Sequence, residues 1–320
     1  MRGSEPASGE LPPSGVSTAP TLKRRALYPD TLIDGREAPN GPFSRWRRHI
    51  DALLVSRGER EEAELERLLH GQPGVTRPNI IALISPKGGV GKTTTTFLAG
   101  NLLASHLKLR TIAVDANPDF GTLGRLPGDR ARSQRSLVEL LADADGLATA
   151  AELRPYVSRF PSGLHLLAAP EDARLTASFG PDRYGELAAF LSCFYETVLL
   201  DLGTGVAGPL ARFAIERADQ VVLVTTPDWI TASVVLDALE HLQHDRTTVV
   251  VNKSHAGSAG EARTVEERFR RERLHRSVSI PHDDRLALML DSGTYSLEAL
   301  DRRTRCSIKE LGIAIAEQLA

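Results

Sequence analysis

Cysteine is nearly missing from this chain: Cys193 and Cys306 are the two thiols in 320 residues. That excludes a disulfide framework beyond a single bridge, and neither thiol has metal-ligand spacing. Cys193 falls in a helical pattern with Phe190, Leu191 and Phe194, which predicts a small buried apolar residue. The histidines are scattered and form no metal-binding pattern. No apolar run approaches the roughly 18–20 residues of a membrane span, and the N-terminus lacks the apolar centre of a secretory signal, so a cytoplasmic protein is expected. Strong charge of one sign is also lacking. The net charge is −2 at pH 7, which argues against a chain built as a whole to bind polyanions but leaves room for local basic patches. Lysine is scarce, with six residues against a large excess of arginine, so each lysine carries more information than usual.

What remains is ordinary for a soluble globular protein: 41% hydrophobic and 25% charged residues. Residues 1–42 form a tail that opens on a Pro-, Gly- and Ser-rich stretch with too little apolar area to fold. Residues 43–78 read as a helical extension and linker. In it Trp46, Ile50, Leu53 and Leu54 space helically, as do Ala63, Leu65, Leu68 and Leu69. Residues 79–320 alternate strands with helical patterns. Strands are expected at Ile80–Ser85, Thr111–Asp115, Leu164–Ala168, Thr197–Asp201, Gln220–Thr225, Thr247–Asn252 and Ser277–Ile280. Several are continuous β-branched runs, as in a parallel sheet covered on both faces. The fold class is α/β, a doubly wound, mostly parallel sheet. The segment Pro127–Ser162 reads as a polar helical insertion.

The first strand runs into SPKGGVGKTTTT, Ser85 to Thr96, and then into a helical pattern. Strand, glycine loop, Lys-Thr and helix together form a phosphate site. Gly88, Gly89 and Gly91 can take positive φ, and with Val90 they let successive N–H groups converge on phosphate oxygens. The helix beginning near Lys92 adds the positive end of its dipole. Lys92 is placed to reach the β- and γ-phosphates, Thr93 to ligate Mg²⁺, and Thr94 to add a phosphate contact. A purely structural turn needs the glycines but not Lys92 followed by Thr93.

Ligands of such sheets sit beyond the carboxyl ends of the strands. The second strand ends at Asp115 and leads to Asp119 and Gly121. The fourth ends at Asp201, ahead of Gly203 and Gly205, and the sixth ends at Asn252. An Asp after four apolar positions needs a metal or a loop amide as partner. Asp119, in Asn-Pro-Asp-Phe-Gly, also suits an Asx-turn, and Asn252 suits a strand-end turn.

Pro86 stands where the simple phosphate loop has glycine, and Lys87 is an extra lysine. The loop resembles the deviant Walker A loop of the MinD/ParA family of ATPases, and the likeness extends over Asn79–Ala320. The resemblance implies ATP or ADP with Mg²⁺ as cofactors. It implies a homodimer that sandwiches the nucleotide, with Lys87 reaching across to the other subunit. Asp201 and Asp115 would serve the metal, and Asp119 would orient the attacking water. Asn252 would meet the adenine, and Pro281, in Ile280-Pro281-His282-Asp283, would lie in the loop over the base. Lys87 also fits an ordinary solvated loop lysine. The details SPKGGVGKTTTT, VDANPDFGTLG and DLGTG look most like actinobacterial MinD-like proteins, some of which accompany ESX (type VII) secretion systems. The implied function is a slow, partner-stimulated ATPase that positions or assembles a cargo, in partitioning or in secretion. A small-molecule phosphotransferase or ligase, or a scaffold without hydrolysis, are the alternatives. The last helical pattern lacks the basic amphipathic character of a membrane anchor. Non-specific DNA contact would fall to Arg268, Arg270, Arg271, Arg273 and Arg276, or to Arg302, Arg303 and Arg305, and a solvated helix face fits the same residues.

Overall fold

The computed structural model describes residues 57–117, 121–126, 132–242, 244–254, 259–269, 271–272 and 274–320. The expected tail, the helix around Trp46, and Asp119, Arg270 and Arg273 lie outside these residues.

Eight strands form one sheet among the described residues. They are β1 (Asn79–Ser85), β2 (Thr111–Ala116), β3 (Val157–Arg159), β4 (His165–Leu167), β5 (Thr197–Thr204), β6 (Gln220–Thr225), β7 (Thr247–Ser254) and β8 (Arg276–Pro281). Their order is β3-β4-β2-β5-β1-β6-β7-β8. All pairings are parallel except β3 with β4 at the edge. Every strand expected from the sequence is present. β3 corrects the reading of Pro127–Ser162 as a helical insertion. It is three residues long, too short to show a period of two, and it is held by the register Val157↔Leu167.

The helices are α1 (57–70), α2 (Lys92–Ser105), α3 (Leu137–Ala142), α4 (Ala173–Ser178), α5 (Pro181–Ser192), α6 (Pro209–Arg217), α7 (Trp229–His241), α8 (Ala259–Phe269), α9 (Asp284–Ser292) and α10 (Arg302–Ala316). Side chains alternate across the pleat, so each strand serves two cores. Ile81, Leu83, Ala113, Leu199, Val222 and Val250 pack with α2 and α10. Ala82, Ile84, Ile112, Val114, Val198 and Val249 pack with α5, α6, α7 and α8. Burial on both faces explains the unbroken apolar strands.

α1 rests on α10. Leu69 is fully buried, while Ala63 and Leu68 of the expected apolar set face solvent. Arg305 grips both Glu62 carboxylate oxygens at 2.8 and 3.0 Å, and Lys309 reaches Glu62 at 3.2 Å and Glu66 at 2.6 Å. α10 starts at Arg302, so Arg305 lies in its first turn. Arg305 is therefore an internal clasp, not part of a free basic patch. Arg276 and Arg268 are likewise paired, with Glu317 and Glu272. Cys193 is a further correction. It caps the end of α5 and is exposed, because the chain turns there and Leu191 takes the inward position. Among the described residues no helix is long and apolar enough to cross a membrane.

Candidate nucleotide site

β1 lies in the sheet between β5 and β6, and its carboxyl end delivers the glycine loop to the start of α2. Gly91 is the N-cap of α2 with φ 94°, and no side chain caps the helix. The first amides of α2 therefore retain their capacity for an anion. Gly91 cannot be replaced without conflict: besides the positive φ, a Cβ there would stand 2.0 Å from Asn252 Nδ2. Gly89 also has positive φ, at 77°. Gly88 is exposed in the same loop, and Thr94 is half-buried in the first turn of α2. The Val90 side chain is buried in the core, so its backbone is what the loop offers.

Three side chains of α2 converge on Asp201. Lys92 Nζ donates to Oδ1 at 2.6 Å, Thr93 Oγ1 to Oδ2 at 2.7 Å, and Thr96 Oγ1 to Oδ1 at 3.3 Å. Lys92 is 7% and Asp201 1% exposed, so the ammonium is stored on a buried carboxylate. Asp115 lies directly opposite Asp201 in the β2–β5 pairing and is as deeply buried. Burial raises its pKa to about 6. The amide of Gly124, at 3.1 Å, opposes the rise, the neighbouring Asp201 charge adds to it, and the amide of Asn117, at 3.4 Å, also opposes it. The loop after β2 presses close enough that a Cβ on Gly121 would fall 2.2 Å from both Asp115 oxygens.

Lys87 is exposed, and its Nζ reaches Thr231 Oγ1 at 3.3 Å. Thr231 is in turn held by Asp228, the N-cap of α7. Asn252 Nδ2 donates to the Val90 carbonyl at 2.9 Å, and Lys253 Nζ to the Gly89 carbonyl at 2.7 Å. Pro281 ends β8 and lines a cavity of about 470 Å³ with Ser254, Ser279, Arg303 and Cys306. No phosphate-loop residue forms that cavity's wall. The structure thus gathers Lys87 through Thr94, Asp115, Asp201 and Asn252 and sets Pro281 to one side. Asp119 lies outside the described residues. Sequence reasoning missed Thr96, Thr231, Asp228 and Lys253. The scarcity of lysine was the available signal for the last: three of the six lysines meet at this loop.

Among the described residues no group of three or more His, Cys, Asp or Glu could hold a metal. The donors present are the Thr93 hydroxyl and two adjacent, deeply buried carboxylates, Asp201 and Asp115. Such an all-oxygen set fits Mg²⁺, which draws its other ligands from phosphate and water.

The uncapped helix behind a glycine loop, with a buried Lys-Asp pair at the end of a parallel strand, defines a P-loop nucleotide-binding fold. Residues 81–296 match the family described as the CobQ/CobB/MinD/ParA nucleotide binding domain, and the chain belongs to that family. It is 28% identical over 287 residues to the ESX-1 secretion-associated protein EspI of Mycobacterium tuberculosis. That match covers 85% of this chain and 42% of EspI, so the chain spans less than half of that relative's length. Its fold is shared with a ParA family ATPase from Chlorobium tepidum (TM-score 0.60, 21% identity, 73% of this chain and 98% of that one). It is shared also with the septum site-determining protein MinD complexed with Mg-ADP from Pyrococcus horikoshii (TM-score 0.55, 20% identity, 74% and 94%).

Proposed function

We propose that the protein is an ATP-dependent dimerising switch that hydrolyses ATP slowly and thereby changes its affinity for a cargo. The buried Lys92–Asp201 pair with Thr93 on the same carboxylate carries this reading. Phosphate entering the loop competes with Asp201 for the Lys92 ammonium. That exchange would free Asp201 and Thr93, the residues that would hold Mg²⁺, with Asp115 beside them. Bound there, Mg²⁺ would neutralise phosphate charge and orient the phosphate chain. Loop amides from Gly88 to Thr94 and the α2 dipole stabilise the charge on the transferring group. Asp119, two residues beyond Asn117, holds the attacking water. The Nδ2 end of Asn252 is committed to Val90, which leaves Oδ1 to accept from a base amine. That orientation favours adenine, a donor at its 6-position, over guanine, an acceptor there.

Lys87, exposed beside the exposed Trp229 and Ile230 of α7, supports a second copy as the dimer partner. The likeness to an ESX-1 secretion-associated protein over 85% of this chain favours a secretion-linked cargo. The ion pairs of Arg268, Arg276 and Arg305 weaken the DNA-binding reading.

Calorimetry with ATP and Mg²⁺ tests the site. The wild type takes up ATP, and Lys92→Ala loses at least about 100-fold in affinity, as expected for a buried charge-assisted phosphate contact. Lys87→Ala keeps affinity but loses ATP-dependent dimerisation in light scattering. A wild type that takes up no nucleotide rejects the reading, and an unchanged dimer in Lys87→Ala rejects the cross-subunit role.

A further inference from the structure

Lys253 has φ 60°, and only one other non-glycine described residue, Lys108, has positive φ. Lysine lacks glycine's tolerance for this region, so the conformation needs support from its surroundings. The β7–β8 ladder slips between Asn252 and Ser254, so Lys253 is the residue turned out of register. The turn swings its side chain back to the phosphate loop, where Nζ bonds the Gly89 carbonyl at 2.7 Å. The preceding residue, Asn252, bonds the next carbonyl, that of Val90, at 2.9 Å. Two consecutive residues at the end of β7 thus grip two consecutive carbonyls of the loop.

In a trans peptide the carbonyl of one residue and the N–H of the next point in opposite directions. Fixing the Gly89 and Val90 carbonyls toward β7 therefore fixes the Val90 and Gly91 N–H groups away from it. These amides belong to the set that a glycine loop offers to phosphate. Gly89 and Gly91 make the loop conformationally permissive, and ordering it at the moment of binding costs affinity unless the order is already present.

We propose that Lys253 is a positioning residue for the nucleotide, clamping the Gly89 carbonyl so that the phosphate-binding amides are preset before ligand arrives. The inference rests on the nucleotide-site reading above. Its consequence is selective: nucleotides whose β-phosphate sits in the loop depend on the clamp, and AMP does not.

The test compares wild type, Lys253→Gly and Lys253→Arg by calorimetry with ATP, ADP and AMP, each with Mg²⁺. Lys253→Gly removes the ammonium and relieves the positive φ, so its thermal midpoint stays at or above that of wild type. Its Kd for ATP and ADP rises about 10-fold, the scale of one hydrogen bond from a charged donor, with AMP affinity unchanged. Lys253→Arg preserves a cationic donor and binds ATP within about threefold of wild type. Wild-type ATP affinity in Lys253→Gly overturns the inference while leaving the nucleotide site intact. Equal losses for ATP and AMP, or a lowered midpoint in Lys253→Gly, assign the residue to general stability and also overturn it. Failure of the wild type to bind ATP removes the site and the inference together.

Discussion

Asp115 and Asp201 occupy neighbouring register positions at the ends of β2 and β5, both 1% exposed. Lys92, Thr93 and Thr96 satisfy Asp201, whereas among the described residues Asp115 has two backbone amides and no cation at hydrogen-bonding distance. The result is a carboxyl raised by burial from 3.8 to about 6. A raised folded value means that the folded state binds the proton more readily than the unfolded chain. Stability from this group is therefore full below about pH 3.8, falls as pH rises, and reaches its lowest level above about pH 6. Asp115 destabilises the empty protein at neutral pH. In chelator and without nucleotide, Asp115→Asn should be more stable than wild type at pH 7.5, by about 2 kcal/mol on the scale of that shift. The gap should close as pH drops toward 4. Urea unfolding at several pH values measures it, and a gap independent of pH would mean that charge is not the cause.

Among the secondary-structure elements, α1 is attached through a charged clasp as well as through the apolar Leu65 and Leu69. Leu69 is its one fully buried large side chain, whereas Glu62 meets both Arg305 and Lys309. The paired Arg305 side chain holds the Glu62 carboxyl down at about 2, against an opposing contribution from burial. A depressed carboxyl gives stability that is complete above the ordinary value of 4.5 and is lost as pH falls toward 2. α1 should therefore remain docked at neutral pH and become accessible to hydrogen exchange as pH drops through 4 to 2. Glu62→Ala leaves Lys309, 8% exposed, with Glu66 alone, and should cost about 2–3 kcal/mol. Equal exchange in α1 for wild type and variant at pH 7 would show that apolar packing carries the docking.

The same contrast explains what the sequence revealed and what it hid. Parallel strands buried on both faces print as unbroken apolar runs, so β1, β5, β6 and β7 were legible, and strand-end chemistry pointed to Asp115 and Asp201. β3 has three residues and carries no period. The Glu62–Arg305 clasp joins residues that only the fold brings together. Cys193 followed the helical spacing but lay past the last inward position of α5. Lys253 acts through a backbone torsion and a ladder slip, which no residue pattern encodes.

At the scale of the molecule, the phosphate loop shares one surface with three of the exposed large apolar side chains among the described residues. Trp229 is 59%, Ile230 74% and Val234 44% exposed on α7, and Lys87 is bonded to Thr231 of the same helix. A large aromatic and an isoleucine left in water beside a phosphate loop are costly unless another surface covers them. The proposed dimer provides that cover and ties it to the phosphate site through Lys87. Ile230→Asp places a charge in the middle of the patch without touching Lys92, Asp201 or the loop glycines. It should therefore leave ATP affinity and the monomer's thermal midpoint near wild type while weakening the ATP-dependent dimer by about 10–100-fold, the range of an interface hot spot. Light scattering over a protein dilution series, with ATP and Mg²⁺, reads that shift. In the proposed dimer the second copy completes the electrostatic clamp, so turnover per subunit should rise with protein concentration in wild type and stay flat in Ile230→Asp. A variant that dimerises normally would assign the α7 patch to another partner and leave Lys87 as the dimer's own determinant.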